Sequence, residues 1–417
     1  MDNFGKKIIY NFIKYKFFIL TVFVYLLHLL CSLTYIIIYG ETSYLVVSFT
    51  IIYSGILSFF EGFRNLIVVT CANSTKNTLS QLEKSIQSIY FLGGIFSPFI
   101  YLLVIEISDL GYSINPILIL LLNITTLYFY YSQWRMSLSD YKGNTSRNMF
   151  IKALPNLILL CSCLILKKYE FDLSLNKVVS FYSLICFFIY FYFNFIDGHK
   201  SNFFRWMFAY RLTNPLKNKP VINQIKLSII NYAVTYTDKF SAVLFLNEIK
   251  LASYFAFIDI FGKILIVGRM ASWLLLPNLI DNSVKYLKYF KIFIFSSIIL
   301  FSFIMAFYLF FLKFENKFFI NNVSLYTIWD KIILISIFIN ILGYISVSIL
   351  NSNNDFTTQV KNYSKSIIYC LALIFIIYIN IYFNIYNGFN LLLIVSICFL
   401  LIRTADIKFI LLASKYN

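Results

Sequence analysis

Acidic side chains and the usual catalytic groups are scarce in this 417-residue chain: 18 Asp and Glu stand against 35 Lys and Arg, with only two histidines. Neither His28 nor His199 lies near a cysteine at metal-ligand spacing, so the sequence offers no zinc site. It contains no Gly-rich loop ending in Gly-Lys-Ser/Thr and no Gly-x-Ser-x-Gly turn. A nucleotide-binding loop and a serine nucleophile elbow are thereby excluded. Charged residues make up 13% of the chain, too few to cover a soluble surface.

What the chain has instead is apolar length. Hydrophobic residues reach 60% and fall into runs of about 18 or more, enough to cross roughly 30 Å of hydrocarbon. A transmembrane barrel would show alternating segments of about ten residues, and none occur. The composition therefore predicts an all-α polytopic membrane protein. The formal charge of +17 does not point to nucleic acid, because most Lys and Arg lie between the apolar runs, where they set orientation. The seven cysteines all fall in apolar segments or at their ends and read as small hydrophobes. Tyr and Phe, 33 and 47 in number, are expected to face lipid for the most part.

Hydropathy windows give about 12 spans. The first six lie near 17–39, 44–70, 89–107, 113–132, 151–167 and 178–196, the second six near 223–246, 251–276, 289–312, 332–350, 366–386 and 390–412. The first run, after Lys6, Lys7, Lys14 and Lys16, is too long for a signal peptide and lacks a small-residue cleavage site, which predicts a retained helix. With the N-terminus inside, the inner segments hold about 21 Lys and Arg and the outer ones about 7, which predicts both termini in the cytoplasm. A basic segment at 197–221, with Trp206 and Phe203–Phe204, suits an interfacial helix on anionic headgroups. It divides the chain into six-span halves, 1–196 and 222–417.

The halves carry a faint parallel repeat. Tyr44 follows the elbow Gly40–Ser43 in YGETSYLVVSF, and Tyr254 follows the elbow Asn247–Lys250 in NEIKLASYFAF. Superimposing the two Ser-Tyr pairs sets His28 against Asp238, each sixteen residues earlier.

Charges inside the spans are costly, roughly 2.5–3.5 kcal/mol each on insertion scales, and so mark a polar interior. Glu61 and Arg64 share a face of span two, Asp259 and Lys263 a face of span eight, and Arg403 and Asp406 a face of span twelve. Each pair has a plain alternative: mutual neutralisation for insertion. Arg269 has no acid three or four residues away, and Lys239 has only the adjacent Asp238, which projects about 100° away around the helix. Arg64 and Arg269 sit at similar depth in spans two and eight, and a cavity with cations from both halves would suit a diphosphate group entering from the cytoplasm. For Arg269 the alternative is snorkelling to the inner interface. Asp238, Asp259 and His28 are the candidates for coupling to an ion gradient, Na+ or H+, since such groups in low dielectric can titrate near neutrality. For His28 the alternative is a packed, hydrogen-bonded core histidine. Gly93–Gly94 with Pro98, Pro116 and Pro155 can break or kink spans three to five, while Pro277 ends span eight.

The string Tyr-Thr-Asp-Lys (236–239), the short elbow, LASYFAF (251–257) and LLLPNLI (274–280) together resemble polysaccharide flippases of the O-antigen (Wzx) type. That family belongs to the superfamily of multidrug/toxin extruders and the lipid II flippase. Ser253 stands where the family more often has Gly. The resemblance implies a MATE-like, V-shaped pair of six-helix bundles in a bacterial inner membrane. It implies movement of an undecaprenyl-diphosphate-linked oligosaccharide to the outer leaflet, through a substrate cavity of Arg64, Glu61, Lys239, Lys263, Arg269 and Arg403 whose cations hold the diphosphate or acidic sugar, with a polysaccharide polymerase and a chain-length regulator as partners. No cofactor is expected. Two other classes stay open: a membrane polysaccharide polymerase or ligase, which calls for a large external loop, and a small-cation extruder, which calls for an acidic cavity.

Overall fold

The computed structural model describes residues 23–57, 62–73, 76–107, 115–142, 144–170, 174–196, 219–245 and 248–262. It also describes isolated helical positions between 295 and 379, among them Leu334–Gly343. Among the described residues the chain is all helix and short connections, with no strand. The first half supplies α1 (Phe23–Tyr39), α2 (Glu41–Leu57), α3 (Gly62–Asn73), α4 (Lys76–Ile107), α5 (Pro116–Tyr141), α6 (Thr145–Lys168) and α7 (Leu175–Ile196). The second half supplies α8 (Lys219–Phe245), α9 (Glu248–Gly262) and α10 (Leu334–Gly343). Segments of α4, α6 and α7 are long and apolar enough to cross a membrane.

Most predicted spans coincide with these helices, and the differences have local causes. Span two is occupied by α2 and α3. The elbow before it shrinks to Gly40 alone, whose φ of 82° is a left-handed conformation suited to glycine. The Gly40 amide bonds the Ile36 carbonyl at 2.9 Å and closes the end of α1. The inner loop predicted at 73–88 is largely helix, because α4 begins at Lys76. Leu82, Ile86 and Ile89 are buried there at spacings of four and three, an amphipathic stripe rather than a loop. Pro116 does not break a span but opens α5 at its first turn, where Asn115 caps the helix by accepting from the Ile117 amide at 2.9 Å. Pro98 and Pro155 lie inside α4 and α6 without ending either. Span twelve, most of spans nine and eleven, Pro277 and most of the basic segment lie outside the described residues.

Within the first half, α4 packs along α5, α5 on α7, α6 on α7, and α3 on α5. Gly94 lets α4 and α5 meet closely: a Cβ there would stand 3.1 Å from the Cα of Leu127. The core is rich in tyrosine, contrary to the expectation that aromatic residues mostly face lipid. Seven of the ten largest fully buried side chains among the described residues are tyrosines, six of them in the first half, so this bundle's interior is built on rings bearing hydroxyls. Tyr53 lies 5.0 Å from Tyr101 between ring centroids and bonds Thr126, while Tyr130 stacks on Tyr90 and shares a 3.1 Å bond with Ser97. Each phenol needs a partner in so apolar a setting, and helical Ser, Thr and carbonyl groups supply several. Among the described residues, the second half meets the first where α9 lies on α2 and where α8 lies on α3 and α4.

Candidate functional site

The α2–α9 seam joins the two elbow helices that the repeat argument singled out. Tyr44 and Tyr254, the aligned residues, are both buried, and Phe49 meets Phe255 at 6.2 Å between centroids. Into this apolar contact α9 brings a carboxylate, Asp259. The Tyr44 hydroxyl donates to Asp259 Oδ2, and Ser32 Oγ on α1 donates to the same oxygen at 3.1 Å. Ser32 Oγ in turn lies 3.5 Å from Nδ1 of His28, one turn earlier on α1. Tyr44, Ser32 and His28 are all buried; Asp259 is partly so. Two of the three proposed ion-coupling residues, His28 and Asp259, thus belong to one hydrogen-bonded chain, linked by Ser32. Asp238 lies on α8, and its side chain is outside the described set.

The local sequence explains why these groups converge. Ser32 follows His28 by four residues, so both project from one face of α1. Gly40 then turns the chain back immediately, which brings Tyr44 alongside that face. A bond from a neutral donor to a carboxylate contributes about 1.5–3 kcal/mol when buried, so this contact is strong but reversible.

A second polar centre lies within the first half. Arg64 on α3 is buried and forms an ion pair through Nε with Asp140 on α5. Asp140 also accepts from Asn148 Nδ2 on α6 at 2.7 Å, and that amide reaches the Met136 carbonyl at 2.9 Å. The Arg64 guanidinium further donates to Asn65 at 3.2 Å. The geometry ties α3, α5 and α6 together. Asp140 and Asn148 were not singled out in the sequence, since both fall in a segment read as loop. Their signal was the helical recurrence of Gln133, Ser137 and Asp140, which are all buried along α5.

Of the remaining predicted cavity residues, Lys239 is half-buried on α8. Glu61, Lys263, Arg269 and Arg403 lie outside the described residues.

No family model and no curated protein matches the sequence. Solved structures do share its architecture. One is an outward-facing multidrug resistance MATE family transporter of the MOP superfamily: TM-score 0.56, 13% identity, 95% of this chain and 92% of that one. The lipid II flippase MurJ in an inward closed conformation aligns with TM-score 0.54 and 13% identity over 96% of this chain and 87% of its own. A MATE protein in a bent conformation aligns with TM-score 0.51 and 11% identity over 94% and 91%. The chain therefore has the fold of the MATE and MurJ members of the MOP superfamily along nearly its whole length.

Proposed function

We propose that this protein is a flippase that carries an undecaprenyl-diphosphate-linked oligosaccharide across the bacterial inner membrane by alternating access. The observation that carries the reading is the Asp259–Tyr44–Ser32 contact on a shared transporter fold. Hydrogen bonds there join the halves across a largely apolar contact, and such bonds can break and re-form as two bodies separate.

The cargo class rests on the basic excess of the spans and on the sequence resemblance, with the lipid II flippase neighbour consistent with both. Arg64 is neutralised by Asp140, so the anion-binding role falls chiefly to Lys239, Lys263, Arg269 and Arg403 of the second half. Those four cations would hold diphosphate or acidic sugar while the polyprenyl tail stays in lipid. Asp259, with His28 and Asp238, would couple the cycle to a Na+ or H+ gradient. A polymerase and a chain-length regulator would receive the product.

The test is deletion of the gene in its host, followed by analysis of lipid-linked glycan on each membrane face. Single repeat units held at the cytoplasmic leaflet are the expected result. Units that reach the outer face and are capped without lengthening would mean a polymerase. Unchanged glycan with new sensitivity to cationic dyes would mean an extruder.

A further inference from the structure

We infer that the groove between the C-terminal ends of α5 and α7 binds an anionic phospholipid, with Arg135 holding the phosphate. The inference goes beyond the transport reading and does not depend on the cargo. Arg135 is half-buried on α5, and among the described residues no carboxylate lies within ion-pair distance of it. Asp140, the acid of α5, projects about 140° away around the helix and already engages Arg64 and Asn148. A guanidinium partly withdrawn from water without a counter-ion is costly, and an anion is the partner its chemistry calls for.

The side chains around Arg135 hold it in place without neutralising it. Its Nη1 donates to Asn194 Oδ1 on α7 at 3.4 Å, and its guanidinium carbon lies 5.3 Å from the centroid of the Tyr131 ring. The polarity of the amide contact is fixed from within the bundle. Ser132 Oγ donates its proton to the Tyr128 carbonyl at 2.9 Å, so it can only accept from Asn194 Nδ2, at 2.7 Å. That nitrogen also donates to the Tyr190 carbonyl at 2.8 Å, which leaves Oδ1 turned toward Arg135. A buried amide thus positions the arginine while using one of its donors, and the rest of the planar fork suits bidentate contact with a phosphate.

The walls of the groove suit an acyl chain. Tyr131 lies 6.1 Å from Tyr128 between centroids, and Tyr128 meets Phe191 of α7 at 6.2 Å. Phe191 precedes Asn194 by three residues and so shares its side of α7. Leu184, Phe188 and Phe191, at spacings of four and three, form an exposed apolar stripe that leads away from the arginine. A cation at the end of such a stripe matches a lipid phosphate with its chain alongside. Arg147, on the first turn of α6, lies 5.3 Å from the Phe193 ring, so a second guanidinium stands at this end of α7 and favours an anionic headgroup over a zwitterionic one. The loop charges assign this end to the cytoplasmic leaflet.

Native mass spectrometry of the full-length protein, released from detergent with phosphatidylglycerol or phosphatidylcholine titrated in, tests this. One phosphatidylglycerol should bind about tenfold more tightly than phosphatidylcholine, and Arg135→Gln should abolish that preference, the loss of hydrogen bonds to a charged group. Arg135→Lys, which keeps the charge but not the fork, should fall between and carries the test if Arg135→Gln does not fold. Lys142→Gln removes an equal charge from an exposed site just past α5 and should leave the preference intact.

A wild-type protein without the preference overturns the proposal, as does an Arg135→Gln protein that retains it or a Lys142→Gln protein that loses it. So does an Arg135→Gln protein that keeps phosphatidylglycerol yet loses undecaprenyl diphosphate, which would make the groove a cargo site. Because the readout is lipid retention and involves no glycan transport, failure here leaves the flippase reading standing, and failure of that reading leaves the lipid site standing.

Discussion

The phenol of Tyr44 donates to the carboxylate of Asp259 across 215 positions of sequence, and this bond joins the first half of the chain to the second. On the flippase reading proposed above, removing the charge should therefore impair transport more than removing either donor. Asp259→Asn is expected to lower export of the lipid-linked glycan about tenfold or more, while Tyr44→Phe, which leaves Ser32 in place, lowers it several-fold. Quantifying surface polysaccharide in complemented deletion strains decides the order. A Tyr44→Phe strain more defective than Asp259→Asn would contradict it.

Arg64 and Asp140 act on stability. Arg64→Ala leaves a buried carboxylate without its cation and should cost about 3–5 kcal/mol, whereas the double change Arg64→Leu/Asp140→Leu should recover much of that loss. Thermal unfolding of the purified protein in detergent measures both. Arg64→Lys is expected to recover little, because the contact is made through the guanidinium Nε, which an ammonium group does not reproduce.

Gly94→Ala brings a methyl to 3.1 Å from the Cα of Leu127 and closer still to its side chain. The neighbouring backbone has to give, so destabilisation of about 1–3 kcal/mol is expected. The companion change Leu127→Ala should not rescue it, since the backbone contact remains. A Gly94→Ala protein with unaltered melting temperature would show that α4 and α5 can separate freely.

Gly40→Ala probes conformation alone, because nothing lies within 4 Å of the added carbon and only the φ of 82° opposes it. A loss of about 1–2 kcal/mol follows from the left-handed backbone. Gly40→Asn, which tolerates that region better, should lose less. The two melting temperatures, compared directly, check the ranking.

For the cargo, Arg269→Ala should impair surface polysaccharide more than the nearby apolar change Leu265→Ala. Equal effects would remove the role of Arg269 as a cavity cation.

The helices were legible where apolar runs were long, because hydrocarbon thickness fixes a minimum length that sequence cannot disguise. They were underestimated where a buried face is polar. Hydropathy treats Gln133, Ser137 and Asp140 as loop residues, yet all three are buried on α5. Tyr44 was legible as a repeat landmark but not as a donor to Asp259. That pairing depends on how two helices meet, and no local spacing encodes it. His28 and Asp259 were separately flagged for their cost in hydrocarbon. Ser32, the hydroxyl that links them, was invisible because a serine in a membrane helix is ordinary.

The length of α4 has a mechanical consequence. Its 32 residues extend about 48 Å, against a hydrocarbon thickness of roughly 30 Å, and an average tilt shortens that span only slightly. More than two helical turns must therefore extend beyond the hydrocarbon, into the headgroup layer. Its packing against α8 of the second half makes this over-long helix one of the elements through which the halves touch.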